Sequence, residues 1–104
     1  MTRLVVIGAG GIAQNYPDVM ATAGTKVVRV VDIDAAKAAA LAERIGCDST
    51  TDLVLDGADV AVVAVPPASH ESVVGTCFDA GLDVLCEKPL AHSLESARRM
   101  VAHA

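Results

Sequence analysis

Apolar residues along this chain fall in short runs separated by glycine, proline and charged residues, and the runs alternate between two periods. Leu4-Val5-Val6-Ile7 is wholly apolar and closed by Gly8, the form taken by a strand buried on both faces of a parallel sheet. From Gly11 the pattern turns helical through Ile12, Tyr16, Val19 and Ala23, with Pro17 expected to kink or restart that helix. Lys26 to Val31 is rich in β-branched residues and reads as a second strand, ending at Asp32. Asp34 is placed to cap a helix that carries Ala38, Leu41, Ala42 and Ile45 on one face and stops at Gly46. Cys47 to Thr51 is weakly patterned; a short third strand is expected there, then a turn of helix around Leu53 to Leu55. Asp59 to Val65 reads as a central strand stopped by Pro66-Pro67, which cannot continue a ladder. Ser69 is expected to cap a helix with Val73, Val74, Cys77 and Phe78 on one face, stopping at Gly81. Leu82 to Cys86 forms the next strand. Ser93 is expected to cap a last helix with Leu94, Ala97, Val101 and Ala104 on one side.

Strands alternating with helices predict an α/β fold, a doubly wound, Rossmann-like parallel sheet of about five strands. The chain has 104 residues and no repeat, low-complexity tract or linker, so residues 1–104 read as one domain. It stops before the sixth strand of a full doubly wound sheet, and the domain is expected to be incomplete at its C-terminal end. Hydrophobic residues at 53% place it among folding chains, and with one Tyr, one Phe and no Trp the core must be close-packed Val, Ala, Leu and Ile. A net charge of −5 with no basic stripe argues against a nucleic-acid partner. The uncharged stretch from Leu4 up to Asp18 is interrupted by three glycines and a proline, and serves neither as a membrane span nor as a signal peptide. Cys47, Cys77 and Cys86 are odd in number and lack C-x-x-C spacing, which suggests no disulfide framework or metal site and points to the reducing cytoplasm.

The candidate chemistry begins at Gly8-Ala9-Gly10-Gly11-Ile12-Ala13, which matches G-x-G-x-x-G/A between a strand and a helix. Gly8 allows the tight turn, Gly10 lets a pyrophosphate approach the backbone, and Ala13 lets helix and strand pack closely. Amides at the helix start then face the phosphates, Gly11 and Ile12 among them. A turn rich in glycine for packing alone is the plain alternative. Asp32 shifts the balance, because a carboxylate two dozen positions after Gly8, at the end of the second strand, can accept both ribose hydroxyls of an adenosine. As a mere helix cap it is less well placed than Asp34. The same carboxylate repels a 2′-phosphate and is followed by Ile33 rather than Arg, so NAD is favoured over NADP; Lys37 and Arg29 are the cations whose reach would reverse that preference.

Two later segments fall at carboxyl ends of strands, where open parallel sheets bind ligands. Pro66-Pro67-Ala68-Ser69-His70 belongs to the pattern V-x-x-x-P-P-x-x-H, and Glu87-Lys88-Pro89 to A-G-L-D-V-L-C-E-K-P-L-A. Together with the glycine turn, these resemble the glucose-fructose oxidoreductase, inositol dehydrogenase and rhizopine-catabolism (Gfo/Idh/MocA) family over nearly the whole chain. Only Cys47 to Asp56 is short relative to that family. The resemblance implies a two-domain oxidoreductase that moves a hydride between a nicotinamide ring and a hydroxyl carbon of a sugar, cyclitol or related small molecule. It implies Lys88 near the nicotinamide, bonded to the reacting hydroxyl, with Glu87 positioning the lysine or the cofactor amide and Pro66 lining the nicotinamide side. An ammonium there, beside the cofactor's positive ring, has its pKa pushed down toward acid–base use near neutrality. The bland reading of Lys88 is a solvated surface lysine. His70 stays open between contact with ribose or substrate and a polar surface role, and Cys86 reads as core rather than nucleophile. His92 and His103 belong to no recognisable constellation.

The resemblance further implies a C-terminal substrate domain, absent here, so the chain alone is expected to bind the dinucleotide without completing a catalytic cycle. A small-molecule substrate enters only if that domain is supplied. Two other readings stand beside this one: a stand-alone nucleotide-binding or redox-sensing module, and a structural remnant. An apolar edge left open by a missing strand favours a homo-oligomer.

Overall fold

The computed structural model describes residues 2–10, 24–86 and 94–103. Strands β1 (Thr2–Ile7), β2 (Thr25–Val31), β3 (Asp48–Thr50), β4 (Val60–Val63) and β5 (Asp83–Cys86) form one sheet in the order β3-β2-β1-β4-β5, every pair parallel. Helices α1 (Ala35–Ile45), α2 (Pro67–Asp79) and α3 (Leu94–His103) cover it. The chain winds outward from β1 through β2 to β3, then returns to β1's other side for β4 and β5. This reversal puts the topological switch point at the carboxyl ends of β1 and β4. The α/β doubly wound expectation holds.

The continuous apolar run of β1 is explained by its central place. Leu4 and Val6 face one core with Val27, Val30, Val62 and, from α1, Ala38, Leu41 and Ala42. Val5 and Ile7 face the other, with Val31, Ala61, Val63, Val74 and Cys77 of α2, and Met100 of α3. Val5, Val6, Val30, Val63 and Leu41 are fully buried, each contributing about 1.5–3 kcal/mol of apolar burial. A register shift lies between Leu4/Val5 and β2, so Leu4 pairs Val27 while Val5 pairs Arg29. That bulge lets Val27 and Val30, three apart, share a face.

Helix α1 begins and ends as the sequence indicates. The Asp34 carboxylate accepts from the Ala36 and Lys37 amides at 3.0 and 3.2 Å, and Gly46 (φ 88°) closes it by donating to the Ala42 carbonyl. Helix α2 ends on Gly81 (φ 80°), with Gly81 N–H donating to Phe78 and Leu82 N–H to Cys77. Its start differs from expectation. Pro66 is the N-cap, with no side-chain capping bond, Pro67 opens the helix, and Ser69 lies within the first turn, its amide donating to the Pro66 carbonyl. Proline suits the first position because the donor it lacks would have no helical partner there.

Three other expectations are corrected. Strand β4 stops at Val63 instead of Val65, since Ala64 gives one last bond to Ile7 and the chain then meets the glycine turn after β1. No helical turn forms around Leu53 to Leu55, because the Val54 and Asp56 carbonyls accept from the Arg29 guanidinium at 3.1 and 2.9 Å rather than from later amides. On α3 the inward face is Ser96 and Met100, while Val101 is 68% exposed. Ser96 reaches the Glu71 carboxylate of α2 on the same face that sends Met100 into the core. None of the described helices is long and apolar enough to cross a membrane.

Candidate functional site

At the switch point the backbone after β1 turns at Gly8, which has φ 102° and donates to the Val31 carbonyl at 2.7 Å. A Cβ on Gly8 would lie 2.7 Å from the Ala64 carbonyl carbon and oxygen and 2.9 Å from the Val65 nitrogen. Glycine is therefore required twice, for the left-handed conformation and for the close approach of the β4 end. Gly10 differs. It has no positive φ, and a Cβ there meets nothing within 4 Å among the described residues. Among the described residues nothing packs against its bare face, so neither a positive φ nor a described neighbour requires the glycine.

Asp32, half-buried just past β2, turns its carboxylate toward this bend. Oδ2 accepts from the Ala9 amide at 2.8 Å and Oδ1 from the Asp34 amide at 2.8 Å, while the Asp32 amide donates to Thr50 at 3.1 Å. An ionised carboxylate offers about four lone-pair sites, so two remain for hydroxyl donors after those bonds. Main-chain amides thus hold the acid in place before any ligand arrives. Helix capping falls to Asp34, as expected. Arg29 turns its guanidinium to the loop after β3, with Nη1 donating to the Val54 and Asp56 carbonyls. Ile33, beside Asp32, is 94% exposed.

The opposite wall comes from the end of β4. Pro66 is exposed, with φ −55° and ψ 147°. His70 is not the polar surface group that one reading allowed: it is 1% exposed, and Nε2 donates to the Val65 carbonyl at 2.7 Å. Gly8, Gly10, Asp32, Pro66 and His70 are therefore gathered around the carboxyl ends of β1, β2 and β4. Gly11, Ile12, Ala13, Glu87 and Lys88 lie outside the described residues, as do the helix expected from Gly11, the Pro17 kink and the Ser93 cap; of the Cys86 side chain nothing is described.

Sequence reasoning missed a cluster joining α2 to α3. Glu71 accepts from Ser96 Oγ at 2.8 Å and from Arg99 Nε and Nη2 at 2.6 and 2.9 Å; farther along, His103 Nε2 lies 2.7 Å from Asp79 Oδ1, its ring packed over Gly75 and Phe78. The Glu71 bonds, foremost, hold the Arg99 pKa above its usual value. Glu71 and Asp79, eight apart on α2, and Arg99 and His103, four apart on α3, were the only available signal, and such spacings are common on solvated faces. Burial pushes the Cys77 thiol up to about 11 and raises that of Cys47, where Asp48 adds to desolvation and Arg29 opposes it. Neither is an activated nucleophile.

An open glycine turn at the switch point, faced by a carboxylate held on main-chain amides, defines a dinucleotide-binding Rossmann domain. The oxidoreductase family with NAD-binding Rossmann fold, named for Gfo, Idh and MocA, matches residues 2–104. The chain belongs to that family, as its NAD-binding domain. An inositol 2-dehydrogenase of Corynebacterium glutamicum (strain R) is 37% identical over 106 residues, covering 95% of this chain and 32% of that protein. The myo-inositol dehydrogenase of Lactobacillus casei, solved with NAD(H) and myo-inositol, superposes with a TM-score of 0.91 at 30% identity over 99% of this chain and 33% of its own. The WlbA dehydrogenase of Bordetella pertussis, solved with NADH and UDP-GlcNAcA, gives 0.92 at 28% identity over 98% and 32%. The chain spans about a third of the length of the curated relatives it matches.

Proposed function

We propose that this chain serves a dehydrogenase that moves a hydride between NAD and a hydroxyl-bearing carbon of a sugar, cyclitol or related small molecule. The observation that carries the reading is the Asp32 carboxylate, fixed by the Ala9 and Asp34 amides at the turn that holds Gly8 and Gly10. Gly8, Gly10, Gly11, Ile12 and Ala13 would receive the diphosphate, Asp32 the adenosine ribose, and Pro66 the nicotinamide side. When bound, NAD supplies the hydride acceptor. Lys88 takes the proton of the reacting hydroxyl at Nζ as the carbon loses its hydride, and returns it in the reverse direction; Glu87 orients the lysine or the cofactor amide. In support, Lys88 follows β5 by two positions, and Cys86 at the end of β5 pairs with Val63 next to the switch point.

The test is NADH formation from myo-inositol and related sugars by protein containing this chain. Lys88→Ala should lower turnover by about 10²–10⁴-fold, the usual worth of general acid–base catalysis, with the Kd for NAD unchanged. Turnover indifferent to that substitution would remove Lys88 from the mechanism. The reading extends to assembly and location. Leu85 is 64% exposed on β5, the outermost of the described strands on its side of the sheet and the sort of apolar surface that self-association covers, and Cys47 and Cys77 are free thiols suited to the cytoplasm. A light-scattering mass of one chain at high concentration counts against a homo-oligomer.

A further inference from the structure

We infer that His70 is a positioning residue for the cofactor site, holding the carboxyl end of β4 against the glycine turn through the Val65 carbonyl. The inference rests on the NAD reading above. Pro66 and Pro67 follow Val65 directly, and neither has an N–H. The segment is consequently short of the donors with which a loop ties itself down. Among the described residues its backbone ties outside the helix are Ala64 N–H to Ile7 before it and Ser69 N–H to Pro66 after it. Between these, the Val65 carbonyl accepts from His70 Nε2 at 2.7 Å.

The position of that bond gives it consequence. The peptide on the amino side of Val65 is the one against which Gly8 packs, close enough to exclude a Cβ. The peptide on its carboxyl side is the one His70 holds. A shift of a few tenths of an ångström at Val65 is therefore passed to the turn that must receive the diphosphate. The His70 end is firm, because α2 buries Val74 and Cys77 in the core one and two turns on, and Glu71 is clamped by Ser96 and Arg99. Burying an imidazole is costly unless its polar atoms are bonded. The bond to the Val65 carbonyl is one that an aliphatic side chain at this position could not make. Since a carbonyl only accepts, Nε2 carries the proton.

The test uses the 104-residue chain, calorimetry with NAD, and the His70→Gln and His70→Leu variants. Gln keeps a side-chain N–H donor and should leave Kd within about threefold of the parent, while Leu, which has none, should raise it on the order of tenfold. A folded His70→Leu variant that binds NAD as tightly as the parent overturns the inference. Should that variant not fold, proton NMR of the unaltered chain decides: the His70 Nε2–H and Gly8 amide signals should move together as NAD is added, and an Nε2–H signal that stays put while Gly8 moves overturns the inference equally. Absence of any NAD binding by the parent chain refutes the site itself, whereas parent binding with indifferent variants refutes only the role of His70.

Discussion

Replacing Asp32 by Ala removes two bonds inside the protein and the acceptor for the ribose, and the two losses are read by different assays. The Ala9 amide is buried and donates to Oδ2 at 2.8 Å; losing that charged acceptor costs about 1–3 kcal/mol. The Asp34 amide is exposed and water replaces its bond cheaply. In a domain of this length each kcal/mol lowers Tm by roughly 4–8 °C, so calorimetric unfolding should come about 5–20 °C earlier. Two hydroxyl bonds to an ionised acceptor are worth at least about 3 kcal/mol together, and the Kd for NAD should rise about 10²-fold. Asp32→Asn separates the effects. Its carbonyl still accepts from Ala9, so most stability returns, yet affinity stays reduced by about tenfold. Selectivity supplies a third reading: with the carboxylate gone a 2′-phosphate is no longer repelled, and the ratio of NADP to NAD dissociation constants should fall toward one. A folded Asp32→Ala variant that binds NAD within threefold of the parent would refute the reasoning.

Further predictions separate framework from site. Gly8→Ala forces a Cβ into the Ala64 backbone at positive φ and should cost about 2–5 kcal/mol, seen as a urea midpoint lowered by about 1–2 M or more, while Gly10→Ala should leave that midpoint alone and weaken NAD at least tenfold; an unchanged midpoint for Gly8→Ala argues against the turn as described. Glu71→Ala removes three bonds to α3 and should speed amide exchange across residues 94–103 while leaving β1 protected, and uniform exchange rates would show that α3 is not held this way. Cys77 ionises at 9.0 when unfolded and about 11 when folded; the thiol form is favoured by burial, so this contribution to stability is intact below pH 9 and declines by about 2–3 kcal/mol as pH rises from 9 to 11. Rapid thiol labelling of folded Cys77 at pH 8 would contradict it.

Much of the molecule is legible in the chain because its signals are local. Leu4 to Ile7 carries no polar residue, as only a strand buried on both faces permits, and Asp34 with Gly46 brackets α1 by side-chain and backbone chemistry that acts within one turn. The G-x-G-x-x-A pattern and Asp32 are recognisable because each directly follows an apolar strand that ends there. What only the tertiary structure decided involves partners distant in sequence. The bulge between Leu4 and Val5 sets which valines of β2 share a face, and no residue spacing announces it. That Arg29 meets the Val54 and Asp56 carbonyls was likewise decided by the fold, which brings a loop some 25 residues away to its guanidinium. His70 was ambiguous because burial depends on what packs above it, and the face α3 turns inward, Ser96 on Glu71 and Met100 in the core, is not the one its apolar spacing picks out. Composition and period report how much apolar surface a segment must hide; which polar group meets which carbonyl is settled only when the strands lie side by side.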